Sequence, residues 1–188
     1  MQIHNRYLVT ECDEGVVVVD QHALHERILY EELRERVLKG SVESQRLLVP
    51  ETVTLSPAEA ACVLEHQDLL AQMGIEVQSF GGDTILVSSY PAMLANLGPC
   101  ELLHQLANHL LIDHKAPERR DLLDEMLHTV ACKAAIKAGD RLAPEEVAAL
   151  LQRRHLVQDA HHCPHGRPTA LIFTREELDR RFKRTGPS

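Results

Sequence analysis

The sequence predicts a mixed α/β (α+β) fold, with one subdomain built from both chain ends and a second, external subdomain inserted between them. Strand-like and helix-like segments alternate from end to end. The β-branched run Val16–Val19 passes at once into helical spacing, as it would where a sheet strand feeds a helix. The stretch from 41 to 130 carries strands and helices of its own, which leaves 1–40 and 131–188 to close on each other. A chain of 188 residues is long enough for two such units and can bury a core without disulfides.

"IHNRYLVTECDEGVVVVD" reads as two strands joined at Asp13-Glu14-Gly15, and the second, Val16–Val19, is expected to be buried on both faces. Leu24, Ile28, Leu29, Leu33 and Val37 then recur at helical spacing until Gly40. "QRLLVPETVTL" (45–55) is extended, because Pro50 resists helix and Val and Thr favour strand. Ser56-Pro57-Ala58-Glu59 is a helix start with a capping box, and one helix is expected from there to Met73, ended by Gly74. "IEVQSF" and "TILVSS" flank Gly81-Gly82-Asp83 as a hairpin. Helices follow over 99–114 and 118–138, the second stopped by Gly139, and another over 142–154. "HHCPHGRP" (161–168) is loop, "TALIFT" (169–174) a strand, and 175–184 a closing helix.

Composition narrows the function. Acids outnumber bases 28 to 20, giving net charge −8, which argues against a free-standing tight nucleic-acid binder but not against an enzyme delivered to nucleic acid by a partner. Five cysteines without framework spacing point to a reducing compartment. There is no signal-peptide pattern and no apolar run of ~20 residues, so the reading is a cytoplasmic protein with no membrane partner.

His22 and Glu26 stand four apart at a helix start, where side chains lie ~5–6 Å apart on one face, and Asp20 ends the strand just before. An imidazole and a carboxylate so placed suit a transition metal. The plain alternative is that Asp20 and Gln21 cap the helix while His22 and Glu26 pair on a solvated face. "CPHGRP" adds Cys163 and His165 around a stiffening proline, a zinc-type donor pair, with a tight turn as its alternative. Cys132 lies in an alanine-rich helix end, where cysteine is most often a small core residue. His25, His128, His161 and His162 are alternative donors that spacing leaves open. The remaining histidines (His4, His66, His104, His109, His114 and His155) read as ordinary surface or helix residues.

These segments together resemble the C-terminal domain of the MutL family of DNA mismatch-repair proteins. "DQHALHERILYEE" resembles the family's endonuclease motif through Asp20, Gln21, His22, Ala23, Glu26 and Glu31. "ACK" (131–133) resembles its Ala-Cys-Arg element with Lys133 for Arg, "CPHGRP" (163–168) matches in full, "FKR" (182–184) fits the closing Phe-x-Arg, and "QIHNRYLV" resembles the domain's start.

The resemblance implies a metal-dependent DNA endonuclease that nicks one strand of a duplex, carried on a homodimerisation module. On that reading 1–40 plus 131–188 is the dimerisation/endonuclease subdomain and 41–130 a regulatory one. The implied metal ligands are His22, Glu26, Cys132, Cys163 and His165, with Asp20 and Glu26 as catalytic carboxylates. Gln21, Glu31 and Arg167 are implied in support, Arg167 holding the scissile phosphate or bracing its loop; Lys133 leaves the family's Arg contact in doubt. Zn²⁺ suits the thiolates, while Mn²⁺ or Mg²⁺ is implied for nicking. The family's ATPase region has no counterpart here, so the chain reads as a fragment and ATP is expected to bind only that region. "QRLLVP" resembles the family's sliding-clamp motif, with Gln45, Leu47, Leu48, Val49 and Pro50 as its residues. Duplex DNA, weakly bound, and a mismatch-recognition protein complete the implied partners; Arg153, Arg154, Lys183 and Arg184 are candidate DNA contacts. A zinc-stabilised interaction module without catalysis is the competing reading.

Overall fold

A computed structural model describes residues 1–40, 42–94, 97–112, 119–153 and 168–184. It confirms the mixed α/β class, with seven strands in two sheets and seven α-helices among the described residues. The chain divides into two compact units, Met1–Ile28 with Ala135–Ser188, and Leu29–Ala134.

The first unit holds strands β1 (Gln2–Ile3), β2 (Tyr7–Cys12), β3 (Gly15–Asp20) and β7 (Ala170–Thr174) in one antiparallel sheet of order β1-β2-β3-β7. Gly15 turns the chain between β2 and β3 at φ 152°, and a Cβ there would meet the Phe173 carbonyl oxygen at 2.2 Å, so only glycine fits against β7. The run Val16–Val19 is not buried on both faces as expected. Val17 and Val19 are fully buried while Val16 and Val18 are half-exposed, because this antiparallel sheet packs one face on the core. That core joins Leu8, Val17 and Val19 to Leu24 and Ile28 of α1 (Gln21–Leu38) and to Val147 and Leu150 of α6 (Pro144–Arg153). The closing helix α7 (Arg175–Arg181) follows β7 directly and is capped by the Thr174 hydroxyl.

The second unit holds β4 (Ser44–Thr54), β5 (Glu76–Gly81) and β6 (Thr84–Pro91) in a sheet of order β4-β6-β5. The expected helix over 57–73 is instead two, α2 (Pro57–Glu65) and α3 (Gln67–Gln72), broken at His66. His66 takes φ −102° and ψ 16°, and its Nδ1 lies 2.9 Å from the Cys62 carbonyl. The kink lets Leu69, Leu70 and Met73 all bury. Helices α4 (Pro99–Ile112) and α5 (Arg119–Ala134) pack together, α4 also meeting α2 and β4. Later turns of α1 meet α5 through a polar knot: Tyr30 donates to Asp124, whose carboxylate also lies 3.7 Å from Arg34 and from His128. Burial, then the Asp124 hydrogen bond and charge, push the Tyr30 phenol well above its ordinary value. Among the described residues no helix is long and apolar enough to cross a membrane.

Candidate metal centre

Strand β3 ends and helix α1 begins without a linker, so Asp20 closes the strand and His22 and Glu26 lie in the first turns of the helix that follows. Asp20 donates its N–H to the Thr169 carbonyl (2.9 Å), which ties the strand end to the segment leading into β7. Its Oδ1 accepts the Ala23 N–H (3.0 Å) and so caps α1. Asp20 also lines a hollow of about 190 Å³ with Tyr7, Thr169 and Pro168, the last residue of the CPHGRP segment. The capping function and exposure to the motif's end thus coexist in one side chain.

His22 and Glu26 lie on one face of α1, Nε2 to Oε2 3.6 Å, with Glu26 almost fully buried. The other ring nitrogen of His22 decides the chemistry. Nδ1 lies 2.8 Å from the Ile136 carbonyl, which can only accept, so Nδ1 carries the proton and donates. In the neutral ring Nε2 therefore holds a lone pair, and it faces a buried carboxylate oxygen. Two acceptors so placed can share a metal ion. The donor set fits a metal: two donors about 2.0–2.1 Å from a tetrahedral ion stand roughly 3.3 Å apart, near the separation observed.

The neighbouring histidine is set the other way. Ile136 donates its N–H to Nδ1 of His25 at 2.9 Å, so that nitrogen is an acceptor already engaged. This removes His25 Nδ1 from the alternatives left open by spacing. His128 is engaged too, 3.7 Å from Asp124 and edge-on to Tyr30 at 4.2 Å between ring centroids.

The same contacts explain why α5 stops at Ala134 and not near Ala138 as expected. The Ile136 N–H goes to His25, the Lys137 N–H to the Asp140 carboxylate (2.8 Å) and the Gly139 N–H to the Asn5 carbonyl (2.9 Å). Donors captured in this way cannot continue a helix. Cys132, half-buried in the last turn of α5, precedes Ile136 by four residues.

Gln21 is fully buried and works as a structural hub. Its amide nitrogen faces three carbonyls, of Asn5 (2.9 Å), Asp140 (3.1 Å) and Lys137 (3.3 Å), and its oxygen accepts from Gln2 (2.7 Å). Glu31 is half-buried and sits five positions beyond Glu26, a turn of about 140° around the helix, so it does not share the His22–Glu26 face. Cys163, His165, Arg167, His161, His162 and Arg154 lie outside the described residues.

In β4 the stretch Gln45–Pro50 is nearly all exposed, Leu48 at 103% and Val49 at 79%; Leu47 alone is half-buried. The ladder to β6 pairs Arg46 with Ser89 and Glu51 with Val87, so Leu47–Pro50 bulge out opposite Ser88 alone. Lys183 and Arg184 are exposed after α7. The residues that sequence reading missed are Ile136 and Gln2. Ile136 acts through its backbone, which no side-chain pattern announces, and Gln2 is one amide in an unremarkable terminal strand.

The sequence profile of the MutL C-terminal dimerisation domain matches residues 1–142. The DNA mismatch repair protein MutL of Phenylobacterium zucineum is 38% identical over 183 residues, covering 97% of this chain and 29% of that protein. The proteins of the same name from Symbiobacterium thermophilum and Caulobacter vibrioides are 40% and 36% identical, each over 97% of this chain and 29% of their own length. The chain thus spans under a third of the curated relatives it matches. With that match over most of its length, the chain belongs to the MutL C-terminal dimerisation domain family.

Proposed function

We propose that the chain is the metal-dependent endonuclease and homodimerisation part of a DNA mismatch-repair protein, nicking one strand of duplex DNA. The observation that carries this is the His22 Nε2 lone pair facing the buried Glu26 carboxylate at 3.6 Å, with Nδ1 already committed elsewhere. His22 and Glu26 are described residues whose ligand atoms could share an ion. Cys132, Cys163 and His165 would complete the proposed set. The donors fit Zn²⁺, with Mn²⁺ or Mg²⁺ as the proposed working ion.

A divalent ion bound there supplies Lewis acidity and a hydroxide nucleophile near neutral pH. The chain's residues do the rest. Glu26 and His22 fix the ion's position, Asp20 adds negative charge at the strand end, and Arg167 steadies the phosphate. Water oxygen bonds to phosphorus, one P–O ester bond breaks, and one strand is left with a phosphate and a hydroxyl end. The half-exposed apolar outer face of the first sheet, Val9, Val18, Leu171 and Phe173, supports homodimerisation. The bulged, exposed Leu48 and Val49 support docking to a sliding clamp on DNA. That recruitment is consistent with the acidic net charge of −8.

One observation favours the reading without catalysis: Asp20 has a structural use, capping α1, so its presence alone does not demand chemistry. Asp20→Asn separates the two, because asparagine caps helices equally well but carries no charge. With supercoiled plasmid and Mn²⁺, Asp20→Asn and Glu26→Lys are each expected to abolish nicking while Asp20→Asn keeps its melting temperature. Nicking that survives both substitutions would show that Asp20 and Glu26 do not carry the reaction, whereas no nicking by the unsubstituted protein would assign the chain to the interaction-module reading.

A further inference from the structure

The donor atoms proposed to face the ion are aimed by the hydrogen bonds around them. His22 and His25 sit three residues apart on α1 and grip the same residue, Ile136, from its two sides. One ring donates to the carbonyl at 2.8 Å and the other accepts from the N–H at 2.9 Å. A carbonyl cannot donate and an amide N–H cannot accept, so neutral His22 must be the Nδ1–H tautomer and neutral His25 the Nε2–H tautomer. Two imidazoles of identical intrinsic chemistry are thereby made unlike.

Ile136 can impose this only while its peptide groups are held in place. It opens the turn running to Asp140, and the turn is tied down from outside by amides. Gln21 donates to the Lys137 and Asp140 carbonyls, and Gln2 donates to Asp140 (2.9 Å) and accepts from the Leu142 N–H (3.2 Å). Gln21 is itself fixed by Asn5 and Gln2, and its backbone N–H goes to the Arg6 carbonyl (3.0 Å). A glutamine buried completely and bonded at both ends of its amide is a rigid strut.

We propose that Gln21 is a positioning residue: through the 136–140 turn it sets His22 and His25 in opposite tautomers, so that His22 alone aims an Nε2 lone pair at a divalent ion. Gln21 does not touch the ion. Partners that orient a ligating histidine through its other nitrogen typically change metal affinity 10–100-fold when removed. The inference rests on the metal reading for its purpose but not for its geometry, and the experiment keeps the two apart.

The tautomers are read first, in the ¹⁵N-labelled, metal-free chain, by long-range ¹H–¹⁵N correlation, which reports the protonation of each ring nitrogen directly. His22 is expected as Nδ1–H and His25 as Nε2–H; the same tautomer at both overturns the proposal. Gln21→Met, of similar length but without hydrogen bonds, is then expected to give mixed tautomers at His22 and to weaken Co²⁺ binding 10–100-fold, with circular dichroism unchanged. A folded Gln21→Met chain with wild-type tautomers and wild-type Co²⁺ affinity also overturns it. Should Gln21→Met fail to fold, Gln2→Ala, which loosens the same turn from its partly exposed side, is read by the same two signals and judged the same way. If the wild-type chain shows opposite tautomers yet binds no Co²⁺, the metal reading falls and the tautomer assignment stands.

Discussion

At the start of α1, Gln21 is fully buried, Glu26 is 3% exposed, and His22, Gln21 and Asp20 are each held by named hydrogen bonds. In β4, Leu48 and Val49 are almost wholly in solvent and their strand has left its ladder. Both stretches matched a short motif in the sequence, yet the fold treats them oppositely. A site proposed to hold an ion requires donors whose directions are fixed before the ion arrives, which the struts around His22 would provide. A segment proposed to lie in another protein's groove requires apolar side chains and backbone groups that are available, as Leu48 and Val49 are. Burial and bonding thus differ between the two motifs in the way the two proposed roles would require, a difference that motif spelling does not contain.

The largest effect is expected on the rigid side. Leu24 is fully buried in the first unit's core, one turn from both Gln21 and Ile28. Leu24→Ala should remove about 2–5 kcal/mol of stability, measured by urea unfolding, because the core can only partly collapse into the cavity. A loss below about 1 kcal/mol would mean that the first turns of α1 are not anchored by packing, and the contrast with β4 would lose its physical basis.

The docking side predicts a dissociation of stability from binding. Leu48→Ala with Val49→Ala should change stability by no more than about 0.5 kcal/mol, since neither side chain is packed. Binding to a sliding clamp should weaken by about 2 kcal/mol, roughly 30-fold, as for anchor residues of an interface. Loss of stability without loss of binding, measured by titration calorimetry and thermal melts, would reverse the assignment.

Much of this was legible where the signal is local. The hairpin around Gly81-Gly82-Asp83, the extended stretch over 45–55 and the capped start at Ser56 follow from neighbouring residues, and the structure has them, the stretch as strand Ser44–Thr54. What was not legible depends on partners far along the chain. The break at His66 has no glycine or proline to announce it; it serves the burial of Leu69, Leu70 and Met73. The early end of α5 is made by His25, Asp140 and Asn5 capturing backbone donors, two of them well over a hundred residues away in sequence. The half-exposure of Val16 and Val18 depends on which sheet face is covered, which a run of valines cannot express. At the candidate site, residue types pointed to His22 and Glu26 but could not separate His22 from His25. The two rings differ in bonding to the carbonyl and the N–H of one residue, Ile136, and backbone groups look alike in every sequence.

The smallest effect tests whether the unit bearing the open segment has a firm frame of its own. Strand β4 is followed directly by the capping box of α2, where the Glu59 carboxylate accepts the Ser56 N–H (2.8 Å) and the Ser56 hydroxyl accepts the Glu59 N–H (3.3 Å). The Ser56 backbone first, then its side chain, with His104 beside it, hold the Glu59 carboxyl below the usual glutamate range. A carboxyl whose pKa is lowered on folding binds its proton more weakly in the folded state. It therefore contributes stability above the unfolded value of about 4.3, and that contribution fades as pH falls through the lower folded value. Ser56→Ala should cost about 1 kcal/mol at neutral pH. Glu59→Gln should be less stable than wild type at about pH 7, and the gap should close on acidification through the region below about 4.3. A gap that persists unchanged at about pH 3 would show that Glu59 acts through packing and not through its charge. The frame beside the exposed segment would then be held by α2's buried face alone.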